Sequence, residues 1–119
     1  MISVFVVDDQ DFARNGLRLR LGLEEDLTLV GEASDACSAL SQIPALQPEV
    51  VLMDMVMPGV DGISATSQLA GTMPGVAIVM LSLYDDLEVR ANAERAGAVA
   101  FVSKREPDEV LLAAIRSAR

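Results

Sequence analysis

The sequence predicts a doubly wound α/β domain, in which helices cover both faces of one parallel sheet. Five short apolar runs lack most of the polar alternation of a half-exposed strand, which indicates buried strands: ISVFVV, LTLVGEA, VVLM, VAIVML and AVAFV. A segment with helical spacing follows each run, and this repeated order of strand and helix is typical of a parallel sheet. No repeat or linker divides the chain, so residues 1–119 are expected to form one domain.

Composition excludes several classes of function. The formal net charge of -9 argues against a grip on nucleic acid by this domain itself. No apolar run reaches the about 20 residues of a membrane span, and the start MISVFVVDD lacks the basic region of a signal peptide, so a cytoplasmic protein is expected. Histidine is absent, which excludes an imidazole base or ligand from this chain. The single cysteine, Cys37, is expected to be a small buried residue.

The first two helices follow from spacing and capping signals. The first is predicted from Asp11 to about Glu24. Its expected inward residues are Phe12, Leu17 and Leu21 or Leu23, and its expected solvated basic residues are Arg14, Arg18 and Arg20. The second helix is predicted to start after Asp35 as N-cap and to bury Leu40 and Ile43. Pro44 should stop or kink it within about three turns.

The last three helices carry clearer boundary signals. Asp61 is predicted to cap a third helix that runs through Ile63, Ala65 and Leu69 toward Gly71. The fourth opens with Asp85-Asp86-Leu87-Glu88, a variant capping box, and should close at Gly97 in a left-handed conformation. Its expected core residues are Leu87, Val89, Ala91, Ala93 and Ala96, so it buries little area and can shift cheaply. The fifth should begin at Pro107 and bury Val110, Leu111, Ala114 and Ile115.

Polar side chains follow four of the predicted strands, and parallel strands bring their carboxyl ends to one edge of a sheet. These residues are Asp8, Asp9, Asp54, Ser82 and Lys104. Carboxylates so close together repel one another unless a cation compensates, and oxygen ligands suit Mg²⁺. The hydroxyl and the amine then leave a pocket for a phosphoryl group, with Asp54 as its nucleophile.

Each of these residues also has an ordinary structural explanation. An aspartate after a strand is usually a turn former or helix cap, and Lys104 could pair with a neighbouring acid. The coincidence of all these residues at one edge favours the functional interpretation. Three methionines near Asp54 are expected to pack in the core or under the loop, in preference to binding a metal: Met53, Met55 and Met57.

Four motifs in order, VVDDQD, VVLMDMVMPGVDG, VMLSLYDD and AFVSKREPDEV, make the whole chain resemble the receiver domain of bacterial two-component response regulators. The stretches VGEASDACSAL and SKREPDEVLLAAIRSAR look particularly like the NarL type. The resemblance implies a flavodoxin-like (βα)5 fold with strand order 2-1-3-4-5. The NarL type carries a C-terminal helix-turn-helix domain that binds DNA, so a receiver excised from such a protein is expected, with a stand-alone receiver as the alternative.

The resemblance assigns a role to each residue of the constellation. Asp54 would be the phosphoacceptor, with Ser82 and Lys104 holding the phosphoryl group. Mg²⁺, for which Mn²⁺ could substitute, would be bound by Asp9, Asp54 and the Val56 backbone carbonyl, and by Asp8 through a water molecule. Phe101 would be the aromatic residue whose rotamer follows the Ser82 hydroxyl.

The resemblance also implies partners. A sensor histidine kinase would donate the phosphoryl group, and the face made by the fourth helix, fifth strand and fifth helix would then change. A homodimer would form through that face or through a neighbouring one. Such a domain catalyses its own phosphorylation and dephosphorylation without being a conventional enzyme, binds no nucleic acid itself and contacts no membrane.

Departures from the family pattern concern the behaviour of the switch. Phe101 replaces a common tyrosine. Val56 and Tyr84 line the expected route of an attacking water, so we expect slow loss of phosphate. Arg105 follows Lys104 where many receivers have a proline after a cis bond, which leaves the geometry of this loop open.

Three alternative functions are each disfavoured by particular residues of the sequence. A haloacid dehalogenase-like magnesium phosphohydrolase would need an acid where this chain has Val56. A flavin-binding module would need a glycine-rich or hydroxyl-rich phosphate loop where this chain has Asp-Asp-Gln-Asp. A degenerate receiver that acts only as a binding surface would be expected to lack some of the constellation, and here the whole set is present.

Overall fold

A computed structural model of the chain describes residues 1–57, 59, 61–84 and 86–118, in which strands and helices alternate. The strands are β1 (Ile2–Val7), β2 (Leu27–Ala33), β3 (Val50–Asp54), β4 (Ala77–Ser82) and β5 (Ala100–Ser103). The helices are α1 (Asp11–Gly22), α2 (Ala36–Leu46), α3 (Gly62–Thr72), α4 (Leu87–Ala96) and α5 (Asp108–Ala118). Within these ranges, no helix has the length and apolar character needed to cross a membrane.

The strands form one parallel sheet in the order β2-β1-β3-β4-β5. This order confirms both the doubly wound class and the strand order that the resemblance implies. The winding reverses between β1 and β3, because the chain passes from β1 outward to β2 and then returns to the other side. That reversal opens a crevice at the carboxyl ends of β1 and β3, where Asp8, Asp9 and Asp54 lie.

Alternate strand residues enter two separate core layers, which explains why the apolar runs show so little polar alternation. Val4 and Val6 pack with α1 and α5 on one face, whereas Phe5 and Val7 pack with α2, α3 and α4 on the other. Met53 and Met57 are buried in this second layer, and Met55 packs against it, which confirms that the three methionines serve packing.

The inward face of α1 differs from the prediction. Leu21 is buried and Leu17 packs against the core, as expected, but Phe12 is 90% exposed and Leu23 is 73% exposed. Phe12 and Leu21 are separated by about two and a half turns of helix, so they point in opposite directions. Leu23 follows the last helical residue and lies outside the stripe altogether.

Helix α2 begins as predicted and has the predicted length of about three turns, with 11 residues, but Pro44 lies inside it. The Asp35 carboxylate accepts a hydrogen bond of 2.7 Å from the Ser38 amide, and Ile43 is buried. Leu40 packs only partly against the core. The helix runs through Pro44 to Leu46, because the Gln47 amide donates to the Ile43 carbonyl at 2.8 Å and closes the last turn. The proline therefore removes a single donor without ending the helix.

Cys37 is exposed on α2, so its predicted burial is wrong. The buried stripe of this helix consists of Ala36, Ala39 and Ile43. Cys37 follows the first of these residues and falls outside their helical spacing.

The N-caps of α3 and α4 are both aspartates. Asp61 accepts a hydrogen bond of 2.8 Å from the Ser64 amide, which confirms its predicted role. At α4 the cap is Asp86, which accepts from the Val89 amide at 2.9 Å. The predicted cap Asp85 lies outside the described residues. Because the cap is Asp86, Glu88 lies in the first turn but not at the position that a capping box requires.

The inward face of α4 is smaller than predicted. Leu87 is its first residue and is 86% exposed, whereas Ala93 is buried. Val89, Ala91 and Ala96 are only partly buried. Gly97 closes the helix with a φ of 114°, as predicted from its freedom to adopt this conformation. The helix thus buries little apolar area, in agreement with its alanine content.

Helix α5 begins at Asp108, so Pro107 precedes the helix instead of opening it. The buried face of this helix differs from the prediction. Val110 is expected inside but is 39% exposed, whereas Leu112 is buried together with Leu111 and Ile115. Leu111 and Leu112 both lie within one turn of Ile115, so these three residues share one face. The peptide bond between Lys104 and Arg105, before this helix, is trans.

Candidate functional site

Three carboxylates meet at the crevice between β1 and β3. Asp8 and Asp9 follow β1, and Asp54 is the last residue of β3. One oxygen from each carboxylate lies within 4.8 Å of the other two. Asp8 is 1% exposed and Asp54 is 5% exposed, whereas Asp9 is only partly buried. The parallel sheet therefore brings the predicted acids together, with Asp9 on the more solvated side.

Lys104 joins this cluster from the loop after β5. Its Nζ lies 3.0 Å from Asp8 Oδ2 and 3.3 Å from Asp54 Oδ1. The Lys104 amide donates to the Ser82 carbonyl at 2.8 Å, which fixes the backbone from which the side chain extends. The lysine does pair with neighbouring acids, as the ordinary explanation supposes, but those acids are the residues of the site itself.

The electrostatics of the cluster favour a further cation. Burial, and then the charge of Asp8, raise the pKa of Asp54 to about 6, although Lys104 acts in the opposite direction. Burial also disfavours the charged form of Lys104, but its hydrogen bond with Asp8 and the charge of Asp54 outweigh this and raise its pKa. One ammonium group thus faces more negative charge than it can neutralise.

Asp8 is held at its backbone and at both carboxylate oxygens. Its amide donates to the Ala33 carbonyl at 3.1 Å, and its Oδ1 accepts from the Gln10 amide at 2.9 Å. The Asp8 carbonyl accepts from Arg14 Nη1 at 2.5 Å, while Oδ2 faces Lys104. These contacts fix the end of β1 at the site.

The contact from Arg14 corrects one sequence prediction. The Arg14 side chain is only 14% exposed, so it does not belong to the solvated face of α1, whereas Arg18 is 51% exposed and does. Arg14 lies one turn after Gln10, close enough for its long side chain to return to the end of β1. Sequence reasoning could have found it only with knowledge of how α1 is rotated on the sheet.

Ser82 ends β4 at the same edge of the sheet. It follows Leu81, which is paired with Asp54, and it is 1% exposed. Its Oγ accepts a hydrogen bond of 3.0 Å from the Tyr84 amide. A hydroxyl that accepts one hydrogen bond can still donate another, so this group can hold an anionic oxygen.

Phe101 lies on β5 beneath an arginine that sequence reasoning did not single out. The Arg90 guanidinium carbon is 4.7 Å from the centre of the Phe101 ring, within the range of a cation–π contact. Arg90 Nη2 also lies 3.7 Å from Glu106 Oε1. Arg90 therefore connects α4, β5 and the loop before α5, and nothing in its local sequence indicates this.

The loop after Asp54 is closed against the start of α3. The Met55 amide donates to the Leu81 carbonyl, and the Gly62 amide donates to the Met55 carbonyl, both at 3.0 Å. A Cβ atom added to Gly62 would lie 2.1 Å from the Asp54 carbonyl oxygen. Only glycine allows this approach, which positions the segment that contains Val56.

Comparisons with known proteins agree over the whole chain. A family model described as the response regulator receiver domain matches residues 4–116. The oxygen regulatory protein NreC of Staphylococcus carnosus (strain TM300) is 33% identical over 117 residues, an alignment that covers 98% of this chain and 54% of NreC. The chain thus spans about half the length of the curated relatives it matches.

Solved receiver structures have the same fold. The response regulator domain of Thermotoga maritima CheB superposes with a TM-score of 0.91 at 30% identity, covering 99% of this chain and 96% of that one. The receiver domain of the putative response regulator NarL from Mycobacterium tuberculosis gives a TM-score of 0.90 at 30% identity, covering 98% and 95%. The chain therefore belongs to the response regulator receiver domain family, a family of phosphorylation-dependent signalling domains.

Proposed function

We propose that Asp54 is the residue of this receiver domain that accepts the phosphoryl group. The observation that carries the proposal is the juxtaposition of a buried Asp54 with two other carboxylates and with the Lys104 ammonium 3.3 Å away. A carboxylate in such surroundings can form an acyl phosphate, and a fixed cation can hold the product.

The reaction is an in-line displacement. An oxygen of ionised Asp54 attacks the phosphorus atom of a phosphohistidine, a P–O bond forms as the P–N bond breaks, and the leaving imidazole takes a proton from water. Asp54 is mostly ionised at neutral pH, because its pKa of about 6 lies below 7. Lys104 and the Ser82 hydroxyl then contact the oxygens of the transferred group.

The carboxylates fit Mg²⁺. Their oxygens lie within 4.8 Å of one another, the donor set contains no nitrogen or sulfur, and Asp9 faces solvent that can complete the coordination. Asp9, Asp54 and the Val56 carbonyl would bind the ion directly, and Asp8 through water, with Mn²⁺ as a substitute. When bound, the ion supplies positive charge that neutralises the phosphoryl oxygens.

The conformational change that follows phosphorylation is transmitted from Ser82 to the surface. When the Ser82 side chain turns to donate to the phosphoryl group, its oxygen moves away from the Tyr84 amide, and the Phe101 ring moves toward the vacated space. This movement breaks the contact with Arg90 and alters the face formed by α4, β5 and α5. A homodimer through that face is the proposed output.

Receiver domains of response regulators interact with histidine kinases and can dimerise. For this chain we propose a sensor histidine kinase as phosphoryl donor, and a longer natural protein whose C-terminal helix-turn-helix domain binds DNA. NreC extends well beyond the aligned region, and a net charge of -9 suits a domain that leaves DNA contacts to another part of the protein. The domain's own part in phosphorylation and dephosphorylation belongs to the same proposal.

Intact mass spectrometry tests the phosphoacceptor. After incubation with Mg²⁺ and a small acyl-phosphate donor, the chain should gain one phosphoryl group, and Asp54→Asn should gain none. Asp61→Asn is the matched control, because this acid caps α3 and should not alter the adduct. An absence of any adduct with all donors and kinases would favour a degenerate receiver, and multiple turnover on unrelated phosphate esters would favour a phosphohydrolase.

A further inference from the structure

We propose that Arg14 is a positioning residue for the metal site, which it serves by fixing the peptide group between Asp8 and Asp9. The inference rests on the proposed function, in which Asp9 binds the ion. Arg14 does not face the ion in this proposal. It acts through the Asp8 carbonyl oxygen, which accepts from Arg14 Nη1 at 2.5 Å.

The carbonyl that Arg14 holds is chemically part of the peptide plane that precedes Asp9. A peptide plane is rigid, so fixing its oxygen restricts the backbone rotation on which the direction of the Asp9 side chain depends. Within the described part of the chain, no group donates a hydrogen bond to the Asp9 carboxylate. The orientation of Asp9 therefore depends on its backbone, which Arg14 and the Gln10 amide hold on either side.

Arg14 is itself held in place by acids outside the site. It pairs with Asp11 in the first turn of α1, and its Nε lies 3.5 Å from Glu32 Oε1 on β2. With 14% of its side chain exposed, the guanidinium is fixed between the helix and the sheet. A planar group with several donors can hold a carbonyl and two carboxylates at the same time, which an ammonium group cannot do with the same geometry.

Arg18 provides a matched comparison. It lies on the same helix, carries the same charge and pairs with the same Glu32, at 2.6 Å from Oε1, but its contacts do not include Asp8. Charge alone predicts that removal of either arginine strengthens the binding of a divalent cation, because a positive neighbour is lost. If Arg14 instead positions Asp9, removal of Arg14 should weaken the binding of the cation, whereas removal of Arg18 should not.

The test measures Mn²⁺ binding by electron paramagnetic resonance for the chain of residues 1–119, for Arg14→Met and for Arg18→Met, with thermal melting of all three. We expect Arg14→Met to weaken Mn²⁺ binding about 10-fold, the scale found for groups that orient metal ligands. Arg18→Met should bind Mn²⁺ as tightly as the unaltered chain or slightly more tightly.

Equal or tighter Mn²⁺ binding by a folded Arg14→Met would overturn the inference and leave the proposed function intact. Should Arg14→Met lack a cooperative melting transition, Arg14→Lys takes its place, because it keeps the charge beside Glu32. Weakened binding in Arg14→Lys would support the inference, and unchanged binding would overturn it. Failure of the unaltered chain to bind Mn²⁺ at all would instead contradict the proposed function.

Discussion

Asp54 is held in a position that is unfavourable for a free carboxylate. It is 5% exposed and shares its surroundings with Asp8, and these two factors raise its pKa to about 6. Lys104 opposes this rise in the pKa without cancelling it. The ionised side chain therefore destabilises the metal-free fold, and the proposed role of Asp54 as nucleophile would explain why a carboxylate lies there.

Asp54→Asn is expected to raise the free energy of unfolding of the metal-free chain at pH 7 by about 1–3 kcal/mol. The pKa of Asp54 is about 6 in the folded chain and 3.8 ordinarily, so the folded chain binds the proton more tightly than the unfolded chain. Ionisation of Asp54 at pH 7 therefore lowers the free energy of unfolding, and asparagine avoids this loss. That proton's stabilising effect is complete below about pH 4 and is lost as the pH rises through about 6, whereas asparagine does not titrate. Urea unfolding across this range measures the difference.

Two comparisons control this prediction. The gap between the two proteins should close as the pH falls below the ordinary aspartate pKa of 3.8, where Asp54 becomes protonated in both states. Excess Mg²⁺ should also narrow the gap, because the ion stabilises the unaltered chain by binding only its folded state. Equal stability of the two proteins at pH 7 without metal would show that the ionised Asp54 side chain does not destabilise the fold.

Val56 and Tyr84 are expected to slow the loss of phosphate from Asp54. Their exposed fractions are 58% and 64%, so both side chains stand at the surface of the site and not in the core. Bulky side chains on the loops after Asp54 and Ser82 are expected to obstruct an attacking water. Val56→Asn combined with Tyr84→Ala should therefore shorten the lifetime of the phosphorylated chain, measured by loss of the phosphoryl mass with time. Identical lifetimes would reject the idea.

At the scale of elements, the strands were predictable and the helix faces were not. Each apolar run matches an observed strand to within a residue or two at either end, because strands buried on both faces leave a plain signal. Which side of a helix faces the core depends on the rotation of the helix about its own axis, and α1 has leucines on both sides. Leu17 and Leu21 face inward, and Leu19 faces outward. Sequence alone could not choose between these sides.

Gly62→Ala tests the contact between α3 and the Asp54 loop. The added Cβ would lie 2.1 Å from the Asp54 carbonyl oxygen and 2.8 Å from Met55 Cα, so backbone must move. We expect a loss of about 1–3 kcal/mol in unfolding free energy and weaker Mn²⁺ binding. Gly71→Ala lies on the same helix with no atom within 4 Å of its Cβ, and should be neutral or stabilising by up to about 1 kcal/mol. Equal effects of the two substitutions would contradict the argument.

Across the whole molecule, α1 and α5 are held more firmly than α4. Arg116 near the end of α5 pairs with Asp26 at 2.8 Å and with Glu24 at 2.7 Å, and Arg20 of α1 bonds to the same Glu24. Hydrogen bonds from Arg116 and then Arg20 lower the pKa of Glu24, as expected for ion pairs. Helix α4 instead buries mainly Ala93. We expect movement at α4 while α1 and α5 stay together.

Leu87→Asp is expected to abolish the phosphorylation-dependent dimer without reducing stability. Leu87 is 86% exposed at the start of α4, so a charge there costs the monomer little but would enter the proposed dimer face. Leu19→Asp on α1 is the matched control at 74% exposure and should still dimerise. Analytical ultracentrifugation of the phosphorylated proteins decides between the faces, and loss of the dimer only in Leu19→Asp would assign it to α1.

The candidate site was predictable in part, and for a topological reason. Asp8, Asp9, Asp54 and Lys104 converge because a parallel sheet sends every strand end to one edge, whatever the helices do. Arg14, Arg90 and Gly62 reach the site or its surroundings through helix rotation and close backbone contact. No periodicity or motif encodes those properties, so only the folded structure identifies these residues.

The hydrogen bond between the Tyr84 amide and the Ser82 hydroxyl has a spectroscopic consequence. Tyr84 is the single tyrosine of a chain that contains no tryptophan. Tyrosine fluorescence from this protein therefore comes from one ring on the loop that contacts Ser82. Phosphorylation that draws the hydroxyl away from this loop should change that emission, so the conversion can be followed in real time without an attached dye.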